Sequence, residues 1–129
     1  MKLCTYTMSG QTRTGIVVGE SVIDTGVPGT MIDLIKDWDN LKPQLEAKAA
    51  NGGGVPLASV KLEAPVQRPG KIFAIGLNYA DHIEESKMGT PDKQVWFTKA
   101  QTSVNGPYDP IQIARGAFTA SLRGKGDIL

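Results

Sequence analysis

One cysteine, one histidine and no long apolar run set the first limits on this chain of 129 residues. Cys4 alone excludes an intrachain disulfide and any multi-cysteine zinc or iron–sulfur site built from this chain, and it fits a reducing, cytoplasmic setting. Fourteen basic residues stand against thirteen acidic ones, a formal net charge of +1 without long like-charge blocks. That balance leaves no electrostatic footprint for nucleic acid. No apolar stretch approaches the roughly 20 residues of a membrane span, and Met1 to Thr7 is too short and polar for a signal sequence, so a soluble, non-secreted protein without a membrane partner is expected. There is no internal repeat and no low-complexity tract. The length suits one ordinary domain, or a small domain plus part of a second.

The fold class this reading predicts is α+β, mostly β. Leu3 to Thr7, Gly15 to Val18 and Val22 to Asp24 read as short strands of a meander, separated by Ser9-Gly10 and Gly19-Glu20. Thr30 has the character of an N-cap with Asp33 three residues on, and Met31, Leu34, Ile35 and Trp38 recur at helical spacing. Asp37 to Asn40 is expected to end or bend that helix. Leu41 to Ala50 is a second helix, with Pro43 tolerable in its first turn and Asn51-Gly52-Gly53-Gly54 as its stop. Pro56, Pro65 and Pro69 mark a linker zone between about residues 51 and 70, with a strand at Val60 to Leu62 inside it. The expected division is a small N-terminal domain over residues 1–60 and a second unit over 61–129.

Beyond Arg68-Pro69-Gly70 the composition changes. Ile72, Phe73, Ala74 and Ile75 form a continuous apolar run, the pattern of a strand buried on both faces. Val95 to Lys99 is a second β-rich run and Ile111-Gln112-Ile113 a third, with Gly106 to Pro110 turning the chain between them. Directly behind the first run stands Asn78-Tyr79-Ala80-Asp81-His82-Ile83-Glu84-Glu85, which holds the sole histidine beside three carboxylates. On a short helix from about residue 79 to 87, His82 and Glu85 share a face, so that the carboxylate orients the ring. The same spacing equally describes a solvated histidine on a polar helix, and spacing alone favours that reading.

The ordered blocks Pro69 to His82, Glu85, Val95-Trp96-Phe97-Thr98-Lys99, Thr102-Ser103-Val104-Asn105-Gly106 and Asp109-Pro110-Ile111 resemble the fumarylacetoacetate hydrolase family. The resemblance covers about residues 68 to 115, and residues 1–60 look like the small N-terminal domain many members carry. It implies the start of a mixed β-sandwich or β-roll catalytic domain and a small oxo-acid substrate, a 2-oxo acid or 1,3-dicarbonyl of the acylpyruvate kind. The implied chemistry is hydrolysis, decarboxylation, hydration or isomerisation with Mg²⁺ or Mn²⁺ as cofactor, in a homodimer where the full domain is present. By position, His82 resembles the family's general base and Glu85 the acid paired with it, on a segment that often closes over substrate. Lys99 falls at the family's Phe-x-Lys position, a cation for substrate carboxylate or enolate, although Ala100 replaces the usual proline and an exposed edge-strand lysine fits as well. Asn78, Tyr79, Gln101 and Thr102 are candidate substrate-binding residues, with turn chemistry and packing as the alternative for the first two. Gly76 reads either as a close backbone approach or as a plain strand-end glycine.

The family's Glu-x-Glu pair and later aspartate, its metal ligands, are not found downstream. Residues 116–129 hold one carboxylate side chain, Asp127, and read as divergent. Hard cations take several oxygen donors, so no metal ligand is assigned in this chain. Two functions follow: a metal-dependent enzyme of the family with His82 as base, or a catalytically inactive, truncated remnant or interaction module lacking the metal site.

Overall fold

The computed structural model describes residues 1–76 and 93–111. Among these described residues, seven strands and two α-helices are arranged as a five-stranded sheet with helical cover, followed by a separate two-stranded ladder. Strands β1 (Lys2–Met8), β2 (Gln11–Val18) and β3 (Ser21–Asp24) form the expected meander, paired antiparallel with Cys4 opposite Gly15 and Ile16 opposite Ile23. Strand β4 (Val55–Pro56) extends the sheet beside β3, and β5 (Lys61–Glu63) pairs with β1, giving the order β4-β3-β2-β1-β5. The fifth strand thus lies one residue later than the strand expected at Val60 to Leu62, and it closes the edge of the N-terminal sheet.

Alternation along these strands divides the core into two layers. Ile16 and Ile23 face the helices and pack with Leu34 and Leu45, with Leu3, Trp38, Leu41 and Ala49 around them. On the opposite face Cys4, Tyr6 and Val22 pack beneath Val55, Leu57, Val60 and Leu62. The chain after the helices therefore folds back as a lid over the second face. Gly15 is required by that packing: a Cβ there would stand 2.6 Å from Val22 Cγ1 and 3.0 Å from the Tyr6 ring, both buried.

Helix α1 spans Met31–Lys36, and the Asp33 carboxylate accepts the Thr30 N–H at 2.8 Å, as the expected cap requires. Asp37 ends α1, as expected of the stretch Asp37 to Asn40, but helix α2 spans Trp38–Asn51, which corrects the expectation that the second helix begins at Leu41 with Pro43 in its first turn. A single residue, Asp37, separates the helices, and Pro43 is the sixth residue of α2. The Leu41 N–H donates to Asp37 O at 3.0 Å and the Asp37 carboxylate accepts from Asn40 Nδ2 at 2.6 Å, so the turn before the proline is already closed. The stripe Trp38, Leu41, Leu45 and Ala49 packs on the core and outweighs the one hydrogen bond that the proline removes. Gly54, at φ +97°, brings its backbone against Val22 O where a side chain has no room.

The second sheet consists of β6 (Ile72–Gly76) and β7 (Val95–Lys99), antiparallel with Ile72 opposite Lys99 and Gly76 opposite Val95. Here the expectation of a strand buried on both faces is overturned. Phe73 is 59% exposed, Trp96 58%, and every residue of β7 is exposed. A run of apolar residues specifies an affinity for cover, whereas burial also needs a second layer, and among the described residues none lies over this ladder. Phe73 and Trp96 cover each other partly, edge to face with ring centroids 6.4 Å apart. Ile111 is exposed and outside any strand, and Gln112 and Ile113 lie outside the described residues. The expected turn before it is present, with the Asp109 N–H donating to Gly106 O at 3.3 Å. No helix among the described residues is long and apolar enough to cross a membrane.

Candidate functional site

The pleat of the β6–β7 ladder decides which of the candidate residues share a face. Lys99, Phe97 and Val95 point to one side with their partners Ile72, Ala74 and Gly76, while Phe73, Ile75, Trp96 and Thr98 point to the other. Lys99 is thereby placed on the face that β6 ends with Gly76. A Cβ on Gly76 would meet Phe97 Cε1 at an ordinary 3.5 Å, so β6 and β7 do not themselves demand a glycine there, and the plain strand-end reading holds for this ladder.

Register also fixes distance along the ladder. Asn78, Tyr79, His82 and Glu85 belong to the connection that leaves at Gly76 and returns at Val95; these four residues, and the helix expected from 79 to 87, lie outside the described residues. Lys99 stands at the other end, opposite Ile72. Four strand steps of about 3.3 Å separate Val95 from Lys99, roughly 13 Å.

Gln101 and Thr102 follow in a single 3₁₀ turn, Gln101–Ser103, pinned in two ways. Gln101 Nε2 donates to Gly70 O at 2.9 Å, tying the exit of β7 to the entry of β6, and Ser103 Oγ donates to Ala100 O at 2.7 Å. This brings Lys99, Gln101 and Thr102 to one end of the ladder. With its amide engaged by Gly70, Gln101 acts in the structure as a brace. Further on, Asn105 Nδ2 donates to Asp109 O at 3.0 Å, and the Asp109 carboxylate receives Lys61 Nζ at 3.1 Å, which also bonds Glu63. The Asp109 hydrogen bond and then that of Glu63 hold the Lys61 ammonium above its usual pKa. Lys61 therefore joins strand β5 of the first sheet to the loop that follows the second.

A divalent cation needs several oxygen or nitrogen donors converging on one point. Among the described residues no group of three His, Cys, Asp or Glu side chains is gathered to hold a metal, so they do not fit the cation that the sequence resemblance implies.

A charged cluster that the sequence reading passed over lies in the first sheet. Tyr6 sits opposite Arg13, and because Gly15 has no side chain the Tyr6 hydroxyl reaches Asp24 Oδ2 at 3.1 Å, where Arg13 Nη1 also donates at 2.9 Å. Partial burial pushes the Asp24 carboxyl upward, but Arg13, the Gly26 N–H and Tyr6 together outweigh it and hold the group below the usual carboxylate range. Tyr6 is pushed up by burial and then by the Asp24 carboxylate. Only the strand register brings residues 6, 13 and 24 together, and no spacing in the sequence announces it.

Residues 71–125 match the fumarylacetoacetate (FAA) hydrolase C-terminal family, a match that runs past Arg115. A 2,4-didehydro-3-deoxy-L-rhamnonate hydrolase of Sphingomonas sp. (strain SKA58) is 33% identical over 125 residues, covering 91% of this chain and 40% of the relative. The mitochondrial oxaloacetate tautomerase Fahd2a of Rattus norvegicus is 37% identical over 98 residues, 75% of this chain and 31% of the relative. Among solved structures, maleylpyruvate hydrolase from Sphingobium sp. SYK-6, in complex with manganese(II) ion and pyruvate, superposes with a TM-score of 0.67 at 32% identity. That alignment covers 88% of this chain and 42% of the other. The likeness in structure and sequence is that of hydrolases and tautomerases built on this mostly β architecture. The chain belongs to the fumarylacetoacetate hydrolase family, and it spans less than half the length of the relatives it matches.

Proposed function

We propose that this chain carries the acid–base part of an enzyme that hydrolyses, decarboxylates or isomerises a small 2-oxo acid or 1,3-dicarbonyl of the acylpyruvate type. The observation that carries the reading is the family match over residues 71–125 together with relatives that are hydrolases and tautomerases of such compounds by name. In this reading His82 takes a proton from water as the oxygen attacks the substrate ketone, and Glu85 orients the imidazole. Lys99, on the Gly76 face of the ladder, supplies a cation for the substrate carboxylate or for enolate charge. Asn78, Tyr79 and Thr102 line the pocket, and Gln101 holds the strand end that presents Lys99.

The proposal includes a divalent cation, Mg²⁺ or Mn²⁺, with ligands other than the described residues. It also includes a cytoplasmic homodimer and a division into residues 1–60 and 61–129. Assay of the purified chain with an acylpyruvate tests the base directly. His82→Ala should lower turnover by about 10²- to 10⁴-fold, and turnover unchanged by that substitution would remove His82 from this role.

A second reading is a non-catalytic remnant or interaction module that holds no divalent cation. Calorimetric titration with Mg²⁺ and with Mn²⁺ separates the two. Saturable binding supports the enzyme, and no specific heat supports the remnant.

A further inference from the structure

Of the four asparagines in the chain, two precede glycine: Asn51 before Gly52 and Asn105 before Gly106. A glycine in that place leaves its amide nitrogen open to the asparagine side chain, because no Cβ stands in the way. The fold holds the two pairs very differently.

Asn51 is the last residue of α2; it is exposed, and its side chain makes no hydrogen bond among the described residues. Gly52 turns the chain out of the helix at φ +69° and ψ −162°, and a Cβ built on it or on Gly53 would meet nothing within 4 Å. The Gly52 N–H donates to Ala49 O at 3.3 Å, a long bond at a helix end, where bonds open most readily. Close packing resumes at Gly54, against Val22 O.

Asn105 is fastened. Its Nδ2 donates to Asp109 O at 3.0 Å and to Pro110 O at 3.4 Å, and the Asp109 N–H donates back to Gly106 O at 3.3 Å. Gly106 is half-buried beside the Asp109 carboxylate, which Lys61 holds from β5. Reaction at this pair requires the side chain to leave both acceptors.

We propose that Asn51–Gly52 is a site of spontaneous covalent modification, deamidation through a cyclic imide, from which the fold protects Asn105–Gly106. The Gly52 backbone nitrogen, having given up its proton, attacks Asn51 Cγ. The N–Cγ bond forms, the Cγ–Nδ2 bond breaks, and the side-chain nitrogen leaves as ammonia. One water then opens the imide: addition at Cγ gives aspartate, and addition at the Asn51 main-chain carbonyl carbon gives isoaspartate, with the chain running through Cγ. Either product adds one negative charge, which takes the formal net charge from +1 to zero and places a carboxylate at the C-terminal end of α2, where the helix dipole opposes it. Isoaspartate also adds a backbone atom to the short link between α2 and Gly54. Nothing in this chemistry depends on the oxo-acid reading or on His82.

Ageing the folded full chain in warm, neutral buffer, followed by tryptic digestion, tests the proposal, because residues 49–61 and 100–115 are released as separate peptides with one asparagine each. Mass spectrometry should find amide-to-acid conversion at Asn51 faster than at Asn105 by about tenfold or more. Isoaspartate should appear beside aspartate, the two peptides separating on elution. In concentrated urea, where helix and loop are both lost, the two sites should convert at rates within about threefold of each other. The proposal is overturned if Asn51 converts no faster than Asn105 in the folded chain, if the contrast persists in urea, or if aspartate forms without isoaspartate.

Discussion

The two sheets of this chain are built from similar material with different results. Strands β1 to β3 bury consecutive residues, and each face finds its cover nearby in sequence: two helices on one side, the segment 55–62 on the other. Strands β6 and β7 are at least as apolar, yet Phe73, Trp96 and Phe97 stand exposed. Strand propensity produces the ladder in both cases, but only the first sheet lies within short chain distance of its second layer. A two-stranded ladder with no such layer is marginal as an independent unit. Stability in this chain is therefore expected to reside in residues 1–64, with the candidate chemistry mounted on the weaker part.

That asymmetry is open to direct attack, beginning where the expected effect is largest. Leu34→Ala empties a fully buried position between sheet and helices and should cost about 2–5 kcal/mol in chemical denaturation, whereas Phe73→Ala should cost less than about 1 kcal/mol. Equal losses at the two positions would erase the contrast. Next, Gly15→Ala must push apart Val22 and Tyr6 and should cost about 1–3 kcal/mol in the same measurement; a neutral result would show the second core layer to be loosely packed.

Acid titration probes the same layer more gently. Because Asp24 is held below its ordinary 3.8, its ionised form contributes stability above that value, and the contribution is lost as pH falls through the folded-state pKa. The gap in melting temperature between the parent chain and Asp24→Asn should be full near neutrality and close in acid. A gap independent of pH would assign the effect to packing. The smallest expected effect is at the link between the sheets. Lys61→Ala should barely move the melting temperature of residues 1–64 while raising hydrogen exchange around Asp109, and high salt should mimic it.

Much of the first sheet was legible because its signals are local. Gly10 and Gly19 mark the turns, the short β-forming runs between them mark the strands, and Asp33 marks the start of α1. The beginning of α2 was not, since Asp37, Asn40 and Pro43 each disfavour helix singly while the stripe from Trp38 to Ala49 acts collectively. The exposure of β6 was illegible for a different reason: burial is a property of what lies opposite, and the run Ile72 to Ile75 contains no information about it. On the candidate site, Lys99, Gln101 and Thr102 came from family blocks, and the structure adds that Gln101 is bonded to Gly70. Tyr6, Arg13 and Asp24 meet only through register, which single-chain spacing does not encode.

The register of β7 against β6 has one further consequence, which concerns counting. Orientation along a strand is a matter of parity. Removing one residue between Val95 and Lys99 would carry the lysine to the face of Phe73 and Trp96, while removing two would return it to its own face at a ladder position nearer Gly76. Change in the length of this strand is thus tolerated by twos, and an odd step turns the cation away.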